Sequence, residues 1–230
     1  MRNAACTLNV PSRLIHERAY WLQHAGERLA GVDEAGRGCL AGPVVAGAVE
    51  IAEGDSLRLF QGELAEVNDS KKLSPRQRER LFEIITHNPC IRWAVGSCSA
   101  QEVDQLNILR ATHVAMGRAL NHLPNLPAHA LVDGLPVKGL PIDHTAIVKG
   151  DAQSLLIGCA SIVAKVSRDR YCVEMDAHFA GYGFAQHKAY GTAFHLEALR
   201  RLGPCPEHRR SFAPVTAVQE EFPSLSFFEM

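Results

Sequence analysis

Short apolar stretches of this chain run out on carboxylates. "RLAGVDE" reaches Asp33 and Glu34, "HALVDG" reaches Asp133, and "HTAIVKGD" reaches Asp151. Such runs, bounded by glycine and rich in aliphatic residues, read as strands. Acids at the ends of several strands call for a fold in which those ends meet, and an α/β sheet is one. The punctuation agrees. After the Gly-Pro turn at 42–43, "VVAGAVEI" reads as a second strand in a hairpin with the first, and "CIRWAVGSC" as a third. Ser74 and Pro75 open a helix through about His87. Ser99 with Glu102 forms a capping box for a helix running through "NILRATHVAMGRALNHL", which "LPNLP" stops. A long apolar helix starts near Leu155 and reaches about Phe179. "GYGFAQHKAYG" is read as a loop, and "TAFHLEALRRLG" as a helix with Thr192 as N-cap and Gly203 beyond its end. The stretch before "NDSKKL" is read as a polar loop, and the chain from Pro204 onward as loosely structured. The order β-β-helix-β-helix-β-β-helix places the chain in the α/β class, a mixed sheet with helices around it and a small helical C-terminal part.

The first ~25 residues read as an extension with a short helix around "RLIHERAYWLQ". No window approaches the 18 apolar residues of a membrane-spanning helix, and no signal peptide is expected. Seven cysteines, an odd number without a CxxC, several of them in apolar runs, suit reduced buried thiols in a cytosolic protein. The net charge of −1 hides a segregation. Residues 70–80 carry five basic groups against one acid, and residues 186–210 five against two, while the last fourteen residues carry only acids. Read as charge alone, such patches are solvated helix faces.

Strand alternation sends Asp33 and Glu34 to opposite faces, so they share a site only if the strand breaks at Glu34, which Gly36 and Gly38 permit. Carboxylate oxygens suit hard cations such as Mg²⁺, and two such ions clamp a phosphodiester. Without a cation, converging acids raise one another's pKa. Each acid taken singly reads as a turn or cap residue. Asp169 lies roughly 20 Å along the long helix and reads as a structural partner of Arg168, Arg170 or another segment. Gly36-Arg-Gly38-Cys-Leu-Ala41 matches a dinucleotide fingerprint in outline only, because a strand rather than a helix follows it. The histidines at 178, 187, 195 and 208 fit no zinc spacing and read as surface or loop residues. No nucleophile elbow occurs, and Ser161 sits inside an apolar helix.

Seven blocks, "GVDEAGRG", "NDSKKLS", "LVDG", "KGD", "ASIVAKVSRDR", "YGFAQHKAYGT" and "HRRSFAPV", occur in order over residues 30–215. Together they resemble bacterial ribonuclease HII, the type 2 ribonuclease H. The resemblance implies an RNase H-like mixed five-stranded sheet flanked by helices, with a helical C-terminal segment. It divides the chain into an N-terminal extension (1–26), a catalytic domain (27–185), a substrate-binding segment (186–215) and a flexible acidic tail (216–230). It implies a monomeric endonuclease acting on RNA in RNA–DNA hybrids and on single ribonucleotides in duplex DNA, with Mg²⁺ or Mn²⁺, two ions in the active complex. Asp33, Glu34, Asp133 and Asp151 are then the metal-binding catalytic acids. Gly36, Arg37 and Gly38 read the ribose 2′-hydroxyl, Tyr190 contacts it and stacks on the next sugar, and Lys71 holds a backbone phosphate. Two positions depart from the family: Cys39 stands for the usual proline, and Ala189 for the usual glycine. If position 189 needs φ > 0, alanine costs on the order of 1 kcal/mol or moves the loop. A hybrid-binding protein without activity and a junction resolvase of the same fold are the competing readings. The intact acids oppose the first and the glycine–arginine–glycine block the second.

Overall fold

The computed structural model describes residues 12–221. Its centre is one mixed sheet of five strands in the order β3-β2-β1-β4-β5. β1 (Leu29–Ala35) and β2 (Val44–Ile51) form the expected antiparallel hairpin, and β3 (Ile91–Cys98) adds antiparallel to β2. β4 (His129–Asp133) lies parallel to β1, and β5 (His144–Ile147) parallel to β4.

The helices cover both faces. Before the sheet comes α1 (Ile15–Trp21), as expected of the extension. α2 (Glu53–Gln61) occupies what was expected to be loop. It buries Ser56 and Leu59 and packs Leu57 and Phe60 against the core, but Ala52 at its start offers no capping side chain to read. α3 (Pro75–His87) begins at Ser74 with a reciprocal Ser74–Gln77 capping box. The helix expected from Ser99 is two helices, α4 (Ala100–Leu106) and α5 (Ile108–Asn121). Asn107 divides them at φ +62, and its side chain accepts from the N–H groups of Leu109 and Arg110. With ψ at 159 this backbone lies outside the left-handed helical region that asparagine adopts readily, so the two side-chain caps hold a strained residue that ends one helix and starts the next.

α6 (Leu155–His178) is the long helix, with Ser154 capping Ile157. α6 packs on one face of the sheet with Leu29, Val49, Ile51 and Leu131. α5 packs on the other with Ala30, Val32, Ala46, Ala48 and Val132. The two sets alternate along β1, β2 and β4, as a pleated strand requires. Glycines set how close the layers come. A Cβ at Gly31 would stand 2.1 Å from the Leu156 backbone, one at Gly47 2.4 Å from the Ala160 carbonyl, and one at Gly96 2.3 Å from the Ala115 carbonyl.

After α6 come α7 (Phe184–His187), inside the expected loop, and α8 (Ala193–Leu202), with the expected Thr192 cap and Gly203 end. The region beyond Pro204 is not loose. His208 bridges to Ala41, the Arg209 side chain is fully buried, and α9 (Ala213–Glu221) extends into the expected tail. Residues 222–230 lie outside the described residues, as does Cys6. Cys39, Cys98, Cys159, Cys172 and Cys205 are buried free thiols. No helix among the described residues is long and apolar enough to cross a membrane.

Candidate active site

The parallel strands β1 and β4 end side by side, and β5 leads through Lys149 and Gly150 to Asp151. The cavity formed there, of about 350 Å³, is lined by Asp33, Glu34, Asp133, Asp151, Gly36, Arg37, Gly38, Lys71 and Tyr190. The nine residues that the resemblance assigns to metal or substrate therefore line the same hollow. It is not the largest hollow in the protein: a groove of about 840 Å³ beside α5 is larger, but apolar side chains such as Leu109, Val114 and Leu135 line much of it and no carboxylate does.

The strand does not break at Glu34, contrary to expectation, because pairing continues through Ala35↔Val45. Alternation puts Asp33 on the α6 face and Glu34 on the other. Both reach the cavity because it lies off the strand end, where Gly36 turns the chain at φ +94. Gly36 and Gly38 serve different needs. A Cβ at Gly36 would lie 2.0 Å from Arg168 Nε, whereas one at Gly38 would meet nothing within 4 Å. Gly36 makes room for a buried arginine, and Gly38 leaves the cavity wall bare.

The acids are held by the backbone. Asp33 Oδ1 accepts from the Glu34 N–H at 2.7 Å, and Asp133 Oδ1 from the Gly150 N–H at 2.6 Å, next to Asp151. Arg37 Nη1 donates to Glu34 Oε1 at 3.3 Å. Burial raises the Asp33 pKa well above the usual carboxylate range, and the charges of Glu34 and Asp133 raise it further. Glu34 is also raised, chiefly by burial, against the opposing pull of Arg37. Asp151 is raised by burial and then by Asp133 and Asp69. Among the described residues no three His, Cys, Asp or Glu side chains surround one ion position.

Several neighbours were not visible in the sequence. Ser70, Ser161 and Lys165 also line the cavity. Ser161 Oγ lies 2.9 Å from Ser70 Oγ, and the Ser161 hydroxyl is also within reach of Asp33. The i, i+4, i+8 spacing of Ser161, Lys165 and Asp169 was the available signal. Asp169 is bound to Lys165 at 2.6 Å, not to either arginine beside it, and Lys165 Nζ lies 5.9 Å from the Tyr190 ring centroid. Asp69, inside "NDSKKL", is the extra acid beside Asp151, and it also accepts from the Lys71 N–H. The basic patches are only partly solvated: Arg78 holds the Ser70 and Leu73 carbonyls, and Arg209 is 0% exposed.

The Ribonuclease HII family model matches residues 30–215, which spans the sheet, the cavity and α8. The chain belongs to the ribonuclease HII family. Ribonuclease HII 1 of Methylibium petroleiphilum is 51% identical over 191 residues, covering 83% of this chain and 92% of that protein. Ribonuclease HII of Moorella thermoacetica is 52% identical over 192 residues, 83% and 89% of the two chains. Among solved structures, ribonuclease H2 from Pyrococcus horikoshii superposes with a TM-score of 0.70 at 28% identity, over 85% of this chain and 99% of that one. The mixed five-stranded sheet is thus that of ribonucleases HII, and family membership agrees with a cavity whose walls are acids and a glycine–arginine–glycine turn.

Proposed function

We propose that this ribonuclease HII hydrolyses the RNA strand of RNA–DNA hybrids and cuts 5′ to single ribonucleotides in duplex DNA, leaving 3′-hydroxyl and 5′-phosphate ends. One observation carries the reading: four acids, the Gly36–Arg37–Gly38 turn and Tyr190 line a single cavity. The donor set fits hard divalent cations, being four carboxylates that offer only oxygen to one cavity. Asp33, Glu34, Asp133 and Asp151 would hold two Mg²⁺ or Mn²⁺ ions. Bound there, the cations supply Lewis acidity for water attack on phosphorus and for departure of the 3′-oxygen.

The chain's own residues supply selection. Gly38 presents bare backbone, so a sugar can come closer than any side chain would allow. Arg37, 49% exposed and only loosely paired with Glu34, is free to move onto substrate. The backbone of this turn reads the 2′-hydroxyl, which distinguishes RNA from DNA. Tyr190, 43% exposed, offers its ring to the neighbouring deoxy sugar. Lys71 and Lys165 bring positive charge to the same cavity and serve the phosphates on either side of the cut. Ribose recognition beside the acids ties hydrolysis to RNA.

The test is an end-labelled duplex carrying one ribonucleotide, incubated with Mg²⁺ or with chelator. A single cut 5′ to the ribonucleotide that chelator abolishes is expected. Asp133→Asn should remove at least about two orders of magnitude of rate, the scale of losing a group that acts in the transition state. Near wild-type cleavage by Asp133→Asn would refute the assignment, and cleavage of all-DNA junctions instead would favour a resolvase.

A further inference from the structure

Tyr190 sits in a loop that is strained and tightly held. Lys188 and Ala189 both lie in the left-handed region, at φ +52 and +62, which costs a non-glycine residue on the order of 1 kcal/mol. Three successive carbonyls are each taken by a different donor. Arg168 Nη1 donates to Lys188 O at 2.9 Å, the Leu40 N–H to Ala189 O at 2.9 Å, and His195 Nδ1 to Tyr190 O at 2.9 Å. The Tyr190 carbonyl also accepts from the Thr192 N–H.

The histidine is the informative clamp, because its partners fix every proton on it. A carbonyl only accepts, so His195 Nδ1 carries hydrogen. At the other end, His208 Nδ1 faces the Cys205 N–H at 3.0 Å, so that nitrogen is bare. Between them, His195 Nε2 and His208 Nε2 stand 3.1 Å apart, which leaves room for one hydrogen. A neutral His208 puts it on its own Nε2. The order is Cys205 N–H to His208, His208 to His195, His195 to Tyr190. A further proton on either ring would set two N–H groups against each other. Both rings are buried, at 0% and 1% exposure. The titratable groups around them are His187, stacked on His195 at 4.6 Å, Cys205, whose thiol lies 3.1 Å from His208 Nδ1, and Tyr182 at 5.0 Å from His208. None supplies a negative charge at neutral pH.

We propose that His195 and His208 form a tautomer-locked pair that positions the Tyr190 loop against the cavity. They are positioning residues, since neither lines the cavity itself. Burial, then the charge of the neighbouring ring, pushes His208 down to about 3, and His195 is also lowered, so the pair stays neutral through mild acid. The link from this loop to cleavage rests on the reading of Tyr190 as a substrate contact.

Ring-nitrogen NMR of the wild-type protein tests the lock without any substitution. Hydrogen on His195 Nδ1 and His208 Nε2, unchanged from about pH 8 to about pH 5.5, is expected. Reversed tautomers, or titration near the ordinary value, overturn the proposal. Kinetics on the single-ribonucleotide duplex test the coupling. His195→Leu should lower kcat/KM about tenfold, the scale of one buried hydrogen bond, and His195→Asn, which keeps a donor near Nδ1, should recover most of it. In a Tyr190→Ala background the same His195→Leu change should cost less than about twofold. Equal losses in both backgrounds overturn it. Trypsin cleavage after Lys188 separates the two readings: it should be faster in His195→Leu than in wild type, and an unchanged rate overturns the proposal. If Tyr190→Ala cuts like wild type, the role of Tyr190 fails, and the trypsin result alone decides the histidine pair.

Discussion

Ala189 shows how a local cost is carried by its surroundings. The resemblance leads to glycine as the expected residue there, and the backbone is left-handed at φ +62. Yet the methyl is buried with Cys39, Cys172, Met175 and Phe184. Glycine would relieve about 1 kcal/mol of strain. It would also lose about 0.8 kcal/mol of methyl burial and about 0.5–1 kcal/mol to the freer unfolded chain. The losses win. Ala189→Gly is therefore expected to leave stability unchanged or lower it by up to about 1 kcal/mol, and a denaturant midpoint well above wild type would contradict this. Cys39 belongs to the same group and is close enough to Tyr190 for each to act on the other's titration, so both of these positions meet around one tyrosine. At this scale the acids and the glycine–arginine–glycine turn were readable because each stands beside a strand end and a backbone break. His195, His208, Arg168 and Arg209 were not. Their types suggest solvent, and only partners 5 to about 170 residues away bury them, such as Tyr190 for His195 and Arg37 for Arg209.

Among the elements, α1 gives the N-terminal extension a task. Glu17 is fully buried, and its Oε1 accepts from Ser154 Oγ at 2.6 Å and from the Leu156 N–H at 3.1 Å. It thereby satisfies the start of α6, where free N–H groups need acceptors. That helix start immediately follows the turn bearing Asp151. Removing the acceptor with Glu17→Ala should cost about 1–3 kcal/mol. Glu17→Gln keeps an acceptor and should cost less. Burial raises the Glu17 pKa, so the native state holds its proton more tightly than the unfolded chain. Its stabilising contribution is full below the unfolded value near 4.5 and is lost as pH rises through the folded value. The stability of wild type relative to Glu17→Gln should accordingly fall as pH rises above about 4.5, measured by urea unfolding at several pH values. A gap that widens in favour of wild type would refute the buried-acid account. α3 and α8, each with a cap and an apolar stripe, and α6, with a cap and a continuous apolar run, were legible in advance. α2 has no side-chain cap to mark its start, and the α4–α5 division rests on the backbone of one asparagine.

Over the whole molecule, α6 joins regions that the sequence treats separately. Its first turns pack on the sheet, Ser161 and Lys165 face the cavity, and Arg168 reaches the carbonyls of Ala41, Pro43 and Lys188. Farther on, Cys172 and Met175 pack with Phe184 of α7 and Ala198 of α8. A displacement of α6 therefore moves one wall of the cavity and the tyrosine loop together. Gly31→Ala drives a methyl against the Leu156 backbone and should cost about 3 kcal/mol or more. The measurement is the thermal midpoint, and a shift of less than about 2 °C would show that the layers slide apart freely.

The bare faces at Gly31 and Gly47 have a consequence for anyone mapping this enzyme by saturation mutagenesis. Both positions would tolerate almost no replacement, as the four acids would, although neither touches the cavity. A loss-of-function map scored by cleavage alone would merge the two kinds of site into one. Paired with a measure of folded protein per cell, it would divide them cleanly: the acids lose cleavage at full abundance, and the glycines lose the protein itself.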